Sequence, residues 1–264
     1  TTTPQTRPLF GTMTAIEPYR LKVVATGYGP NGSTKQLEAI VQRNFFNDLG
    51  ASAAITMLGP NAQVTLSGNT SIVGGAVPSI TYTNGLNMTV SGSASLSPPP
   101  EVAGNDVPDW QRSPAAMDAF VRQLKQAAQN AGRYYGPGQT PPNYGNYSAG
   151  TGITFMDRDV SVSGNSQGGG IMVITGNFTQ SGTFDFRGLI LVLGSGGVTR
   201  SGNSTLTGNL VIAPYDPNNL GAGWGTPRYT ASGTSDVAYN DVYVDGAFDG
   251  TAAITDFVAG IAEK

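Results

Sequence analysis

Apolar and polar positions along this chain alternate in short bursts. Over residues 19–29 (YRLKVVATGYG), Leu21, Val23 and Ala25 alternate with Lys22, Val24 and Thr26. After the turn residues Pro30, Asn31, Gly32 and Ser33, Leu37, Ala39 and Val41 alternate with Glu38, Ile40 and Gln42 across 34–46. Period two on both sides of an Asn-Gly turn predicts a β-hairpin. A helix over 35–45 competes for the return segment, because Leu37, Ile40, Val41 and Asn44 also fit helical spacing.

Beyond the hairpin the bursts shorten, and each runs into the same phrase: an apolar or polar residue, Ser or Thr, Gly, then a small polar residue. It reads LSGN at 66–69, VSGS at 90–93, VSGN at 162–165, ITGN at 174–177, QSGT at 180–183, RSGN at 200–203 and LTGN at 206–209. A brief strand entering a Gly corner and leaving as another brief strand is how the rungs of a β-solenoid read. Gly176 and Gly182 lie 6 apart, as do Gly202 and Gly208, each 26 residues beyond its counterpart; Gly68 and Gly92 lie 24 apart. These spacings predict a corner at each end of a short strand, repeated one coil later. The expected fold is mainly β, a right-handed parallel β-solenoid, the hand following from the connection rule for parallel strands. An antiparallel sandwich with Gly-rich turns is the competing architecture.

One stretch carries a different period. In 113–132 (SPAAMDAFVRQLKQAAQNAG), Met117, Phe120, Val121, Leu124, Ala128 and Ala131 share one helical face. Ser113 is the expected N-cap, Pro114 the first helical residue and Gly132 the stop. A helix here is expected to flank the coils or cap an open end, hiding unpaired strand edges; its apolar face also suits a partner. It follows a proline-rich excursion over 97–110 and precedes a Tyr-, Gly- and Pro-rich loop over 133–147. Over 168–214, Ile171, Val173, Phe184, Phe186, Leu189, Leu191, Leu193, Leu206, Leu210 and Ile212 are expected to stack inward. The boundaries that follow are a hairpin module at 1–52, a solenoid at 53–214 interrupted by the helix, and a loop and capping segment at 215–264.

Composition narrows the chemistry. The 264 residues hold 37 Gly and only 12% charged residues, which suits many turns and stacked polar rows. There is no Cys, so neither disulfides nor thiolate metal sites exist. The absence of His removes the commonest general base and zinc ligand. A net charge of −3 gives no signal for nucleic acid. No apolar run is long enough to span a membrane. The chain opens at TTTPQTRPLF without Met, which reads as a processed or truncated product.

Candidate sites remain. Asp157, Arg158 and Asp159, or Asp185 with Arg187, offer carboxylates for glycosidase-type acid/base chemistry. A solvated edge, or a cross-rung salt pair beside a core aromatic, explains them more simply, and no catalytic residues are assigned. Asp216, Asn218 and Asn219, or Asp241 with Asp245, present oxygen ligands for calcium, but turn formation explains them as well; no metal site and no cofactor is expected. Tyr134, Tyr135, Tyr144 and Tyr147 beside Arg133 form the expected ligand-binding cluster, able to stack on sugar rings or bases. The same rings lying flat over the coils to pin the loop is the competing reading. Rows of Ser, Thr and Asn are a further candidate face, of the kind ice-binding solenoids use alongside one long helix. Only TYT at 81–83 shows the Thr-x-Thr pattern that would sharpen this.

Residues 19–43, the predicted hairpin, resemble the hairpin that follows the N-terminal helix in PilX-type minor pilins of bacterial type IV pili. Residues 170–214 resemble the β-solenoid that some of those proteins carry after or within their pilin sheet. Together the two matches cover about a quarter of the chain, and neither motif is catalytic. The resemblance implies a soluble ectodomain, extracellular on the pilus at the cell surface, with other pilin subunits as partners. Any membrane contact would run through an N-terminal helix absent from this chain. The function it implies is structural and adhesive and not enzymatic, with a polysaccharide or other surface ligand as a further partner. A solenoid acting alone on carbohydrate or ice is the alternative, and a polysaccharide-degrading enzyme a more distant one.

Overall fold

The structure, a computed structural model, describes residues 2–5, 19–43, 51–103, 107–247 and 256–263. It divides into two compact units, Thr1–Asn47 with Ala252–Lys264, and Asp48–Thr251.

The smaller unit contains β1 (Thr2–Gln5), β2 (Tyr19–Tyr28) and β3 (Thr34–Arg43). The predicted hairpin is present, with β2 antiparallel to β3 from Tyr19↔Arg43 to Tyr28↔Thr34. Asn31 and Gly32 turn it with φ of 61° and 72°, the region these two residues tolerate best. Helix formation thus loses to strand pairing over 34–43; residues 44–46, and the side chains at the alternating hairpin positions, lie outside the described residues. The last strand of the chain (Asp256–Glu263) pairs antiparallel with β3. Chain from the predicted C-terminal capping segment thereby completes the hairpin's own sheet, in the order β1, β2, β3, last strand.

The larger unit is mainly β, a curled sheet of fifteen strands, all paired in parallel, with two helices. Its first part holds β4 (Ile55–Leu66), β5 (Ser71–Val73), β6 (Ile80–Val90), β7 (Ser95–Ser97) and β8 (Glu101–Val102). Helix α1 (Pro114–Asn130) follows. The second part holds β9 (Tyr134–Tyr135), β10 (Ile153–Met156), β11 (Val160–Val162), β12 (Asn165–Ile174) and β13 (Phe178–Gln180). It continues through β14 (Thr183–Val192), β15 (Gly197–Arg200), β16 (Asn203–Ile212), β17 (Arg228–Ala231) and β18 (Thr234–Ala238). Helix α2 (Asp241–Gly246) comes next. The final strand, already met in the smaller unit, is β19.

Pairing sorts these strands into three ladders. One runs β11, β13, β15, β17, the end of β4, and the end of β6. A second runs β9, β10, the ends of β12, β14 and β16, then the starts of β4 and β6, and β8. The third joins the starts of β12, β14 and β16 to β18, β5 and β7. The windings are not stacked in chain order. The chain enters beside β16 (Ile55↔Leu210), winds outward to β8, crosses over through α1, restarts at β9, and winds back until β18 pairs with β5 (Val237↔Ile72). First and last strands of the unit therefore meet in the middle of the stack.

The register corrects the predicted spacing. Asn165↔Thr183 and Phe186↔Leu206 set windings of 18 and 20 residues, so the 26-residue interval is no coil length, whereas the 24-residue interval of Gly68 and Gly92 is one (Leu66↔Val90). Gly164, Gly182, Gly202, Gly233, Gly68 and Gly92 form one corner column, each at positive φ and each resting on the backbone of the one before. A Cβ on Gly202 would lie 2.5 Å from Gly182 O, which is why only glycine fits. Corners use the Ser copies of the phrase. Ser67, Ser91 and Ser201 donate to Ala231, Leu66 and Gln180 carbonyls one winding below at 3.3–3.4 Å. The Thr copies serve elsewhere: Gly208 sits inside β16, and Gly176 in a separate turn against Asp159.

Helix α1 begins as expected, with Ser113 Oγ accepting from Ala116 N at 3.2 Å. Met117, Phe120, Val121, Leu124 and Ala128 are buried; Ala127 joins them, and Ala131 is exposed. Two bonds locate the helix. Lys125 Nζ is 2.8 Å from Asp157 Oδ2, just after β10, and Tyr215 OH donates to Asp118 Oδ1 at 3.4 Å, just after β16. The helix thus runs along the stack on the outside of the second ladder, as a flank and not an end cap. This explains why the second ladder reads as continuous apolar runs: both faces are buried. Met172, Ile174, Ile190, Val192, Leu210 and Ile212 point into the core with Phe184, Phe186 and Leu206. The predicted inward residues Ile171, Val173, Leu189, Leu191 and Leu193 are equally buried but stand on the opposite face, outside that core cluster.

Candidate functional site

The predicted tyrosine cluster is distributed over separate contacts. Arg133 precedes β9 and is spent on the backbone, donating to Asn143 O at 2.7 Å and Ile153 O at 3.4 Å, and to Thr154 Oγ1 at 2.9 Å. Its guanidinium also lies 5.7 Å from the Tyr135 ring. Neighbouring strand residues face opposite sides. Tyr135 accordingly packs on the core, while Tyr134 faces outward, 5.7 Å from Phe155 by ring centroids, and donates to Asp157. Tyr144 packs edge-on against Phe184 at 5.5 Å, and burial pushes its phenol pKa up. Tyr147 lies under Arg187, 4.3 Å away, and the same guanidinium is 5.1 Å from Tyr243 on α2. Each ring has its own partner, so the four do not make one stacking platform.

Asp157 is the most elaborate polar centre. Its Oδ2 accepts from Lys125 Nζ at 2.8 Å and Tyr134 OH at 2.7 Å, and its Oδ1 from Thr175 Oγ1 at 2.8 Å. Burial pushes its carboxyl up, but the hydrogen bonds from Lys125, Tyr134 and Thr175 outweigh it and hold the pKa below the ordinary value. The bond to Asp157 raises Lys125, against the lowering effect of burial, and raises Tyr134. A general acid or base works best with a pKa near the operating pH, and all three shifts lead away from neutrality. The arrangement is suited to tying α1 to the windings. Three other candidate acids are engaged by backbone N–H groups instead. Asp159 accepts from Asn177 N at 2.6 Å and Asp185 from Thr205 N at 3.0 Å. Asp185 and Arg187 therefore have separate partners and form no cross-rung pair. Asp216 accepts from Asn218 N at 2.9 Å, a local turn.

The regular hydroxyl face is on the first ladder. Ser161, Thr179, Thr199, Thr230, Thr65 and Thr89 occupy one register row, and all are exposed. At the parallel-strand spacing of about 4.8 Å they form a straight rank some 24 Å long. The Thr-x-Thr pattern within a strand misses it, because the repeat runs across windings and draws on residues as distant in sequence as 65 and 230. Sequence reasoning also missed Arg200. It is 2% exposed and reaches Ser204 Oγ at 2.8 Å, Asp236 O at 3.1 Å and Tyr229 OH at 3.4 Å. Ser204 in turn donates to Gln180 Oε1 at 2.9 Å. Its partners there are neutral oxygens, so this is an enclosed polar network that locks register.

Among the described residues, no helix is long and apolar enough to cross a membrane, and no group of acidic side chains is placed to hold a metal ion. No known protein family, curated protein or solved structure matches this chain.

Proposed function

We propose that this protein is a non-catalytic structural and adhesive subunit of the bacterial cell surface, similar to the PilX-type minor pilins of type IV pili. In this reading the three ladders close into a right-handed β-solenoid, a stiff body carried by the small antiparallel sheet. Other subunits would engage the protein, and the windings would face outward to meet a surface or a polysaccharide. The observation that carries the reading is the path of the chain. The larger unit begins at β4 and ends at β18 in mid-stack, and the strands that flank it in sequence, β3 and β19, pair with one another. A large unit inserted through one pair of strands is how a display domain is added to a small sheet without altering it. The resemblance of the β2–β3 hairpin to the pilin hairpin points the same way.

Antibody labelling of intact and sheared cells tests it. Label along or at the tips of sheared filaments is the expected result, and label only in the filament-free medium would refute it. A second reading rests on the hydroxyl rank at 65, 89, 161, 179, 199 and 230: a secreted or surface solenoid that lays this face on carbohydrate or ice. Replacing Thr199 and Thr230 by Tyr would abolish such binding without affecting filament labelling.

A further inference from the structure

The hydroxyl rank of the first ladder has a second column beside it. Two residues after each member stands a serine, in ladder order Ser163, Ser181, Ser201, Ser232, Ser67 and Ser91. From Ser181 to Ser91, each serine N–H bonds to a carbonyl of the winding below at 2.8–3.0 Å. Five of the six windings thus spell Thr-x-Ser-Gly, as in TQSG at 179–182 and TLSG at 65–68, and the sixth spells SVSG at 161–164. The repeats are about 4.8 Å along the stack and about 6.6 Å along each strand. Among the described residues, the Thr hydroxyls of the rank have no hydrogen-bond partner. Ser67, Ser91 and Ser201 give their protons to carbonyls and keep free lone pairs. The other two ladders carry helices: α1 lies on the second, and α2 lies against the start of β14 in the third, where Tyr243 meets Arg187. Among the described residues, the first ladder alone is left bare.

We propose that this bare face binds ice, its hydroxyls acting as a template for a layer of ordered water. The proposal rests on the reading of the rank as a contact face for carbohydrate or ice, and four properties of the face select ice. No aromatic ring stands in either column, although ring stacking is the usual apolar support for a bound sugar. A lone exposed hydroxyl gains little by exchanging liquid water for another partner. Gain accrues only where many hydroxyls share the repeat of a solid, and the strand spacing of about 4.8 Å is close to the oxygen repeat along the a axis of hexagonal ice. Each Thr also pairs its hydroxyl with a methyl group on a stiff χ1, which fixes the hydroxyl's direction and orders the water between neighbours. Charge complements the same ligand. Neither column carries a charged residue, in a chain of net charge −3, so an uncharged lattice meets an uncharged face.

The test is the behaviour of the full chain towards ice: its partition into slowly grown ice, and the gap between melting and freezing points. Enrichment in the ice and a measurable gap are expected. Thr199→Tyr combined with Thr230→Tyr changes two exposed residues paired in register at the middle of the rank. This double variant should keep the parent's circular dichroism and unfolding midpoint while losing both the enrichment and the gap. Thr205→Tyr, exposed on the third ladder, should lose neither. Exclusion of the parent chain from ice would overturn the proposal, and so would equal enrichment of the folded double variant. Sedimentation with crystalline cellulose and chitin separates that failure from failure of the underlying reading. Binding to either polysaccharide, lost in the double variant, with no enrichment in ice would overturn ice as the ligand and keep the contact face. Binding to none of the three solids would end both.

Discussion

The two ends of the winding stack solve the same problem in opposite ways. Both end in strands whose inward residues and backbone edge have no further winding to cover them. At the β10–β11 end, Val160 and Val162 are 3% and 2% exposed. Tyr135 and Tyr144 pack on the core there, and Tyr144 also bridges to Gly168. At the β6–β7 end, the residues in the same two register rows are Met88 and Val90, each 42% exposed. The loop that closes the first end is rich in Tyr and anchored by Arg133; the strands of the second, residues 84–97, carry no charged residue at all. Unprotected edges normally bear Lys, Pro or a covering element. The contrast teaches that closure here comes from a dedicated loop, and that the windings themselves do not supply it.

The comparison can be broken most strongly at Phe184, which sits beneath Tyr144 and contacts Phe178 and Phe186. Phe184→Ala should cost about 3–5 kcal/mol in urea unfolding, whereas Met88→Ala at the open end should cost about 1 kcal/mol or less, since much of that side chain is already in water. The corner column gives a graded series. Gly202→Ala meets a carbonyl at 2.5 Å and should cost more than the ~1–2 kcal/mol of the left-handed backbone alone. Gly92→Ala, with its nearest atoms at 3.0 Å, should cost less, and Gly164→Ala, with nothing within 4 Å, should show only the backbone effect.

Smaller effects are expected at the helix tie. Asp157→Asn should lose about 1 kcal/mol or less, because Lys125 and Asp157 are 39% and 30% exposed and solvent screens them. The pKa of Asp157 is lowered on folding, so its contribution is present above the unfolded value of about 4 and disappears as pH falls through the folded one. Lys125 and Tyr134 are raised, so their contributions persist below their unfolded values and fade only as pH rises through the folded ones. Unfolding midpoints of parent and Asp157→Asn should therefore differ by a constant amount between about pH 5 and pH 9 and converge in acid. Smallest of all, Met88→Lys should leave the unfolding free energy within about 0.5 kcal/mol.

Local features of the fold were legible in the sequence, and long-range ones were not. The hairpin and α1 depend on residues a few positions apart, so period and capping reveal them. The Ser-Gly corners were legible too, as they repeat the same backbone requirement. What could not be read is which corner rests on which. Gly68 stacks on Gly233, a partner 165 residues away that lies in the unremarked phrase ASGT at 231–234. The 26-residue spacing misled because each interval joins a Ser-Gly corner to a Thr-Gly copy, Gly176 to Gly202 and Gly182 to Gly208, and the Thr-Gly copies occupy different local structure. The apolar runs of β14 and β16 gave burial but not direction, since a helix covers the outer side. At the candidate site, the tyrosines were visible as residues, but their separate partners follow from three-dimensional contacts. The hydroxyl rank left no Thr-x-Thr pattern to find.

Because β3 and β19 are hydrogen-bonded to each other while the whole of 48–251 hangs between them in sequence, a pull transmitted along the polypeptide has a short circuit. Tension arriving through β3 can pass directly into β19 across their antiparallel ladder. The windings then lie off the load path, as a side branch that bears no traction from its own backbone. Such a branch is free to vary in number of turns, in exposed side chains and even in stability, while the small sheet alone sets how much force the chain withstands.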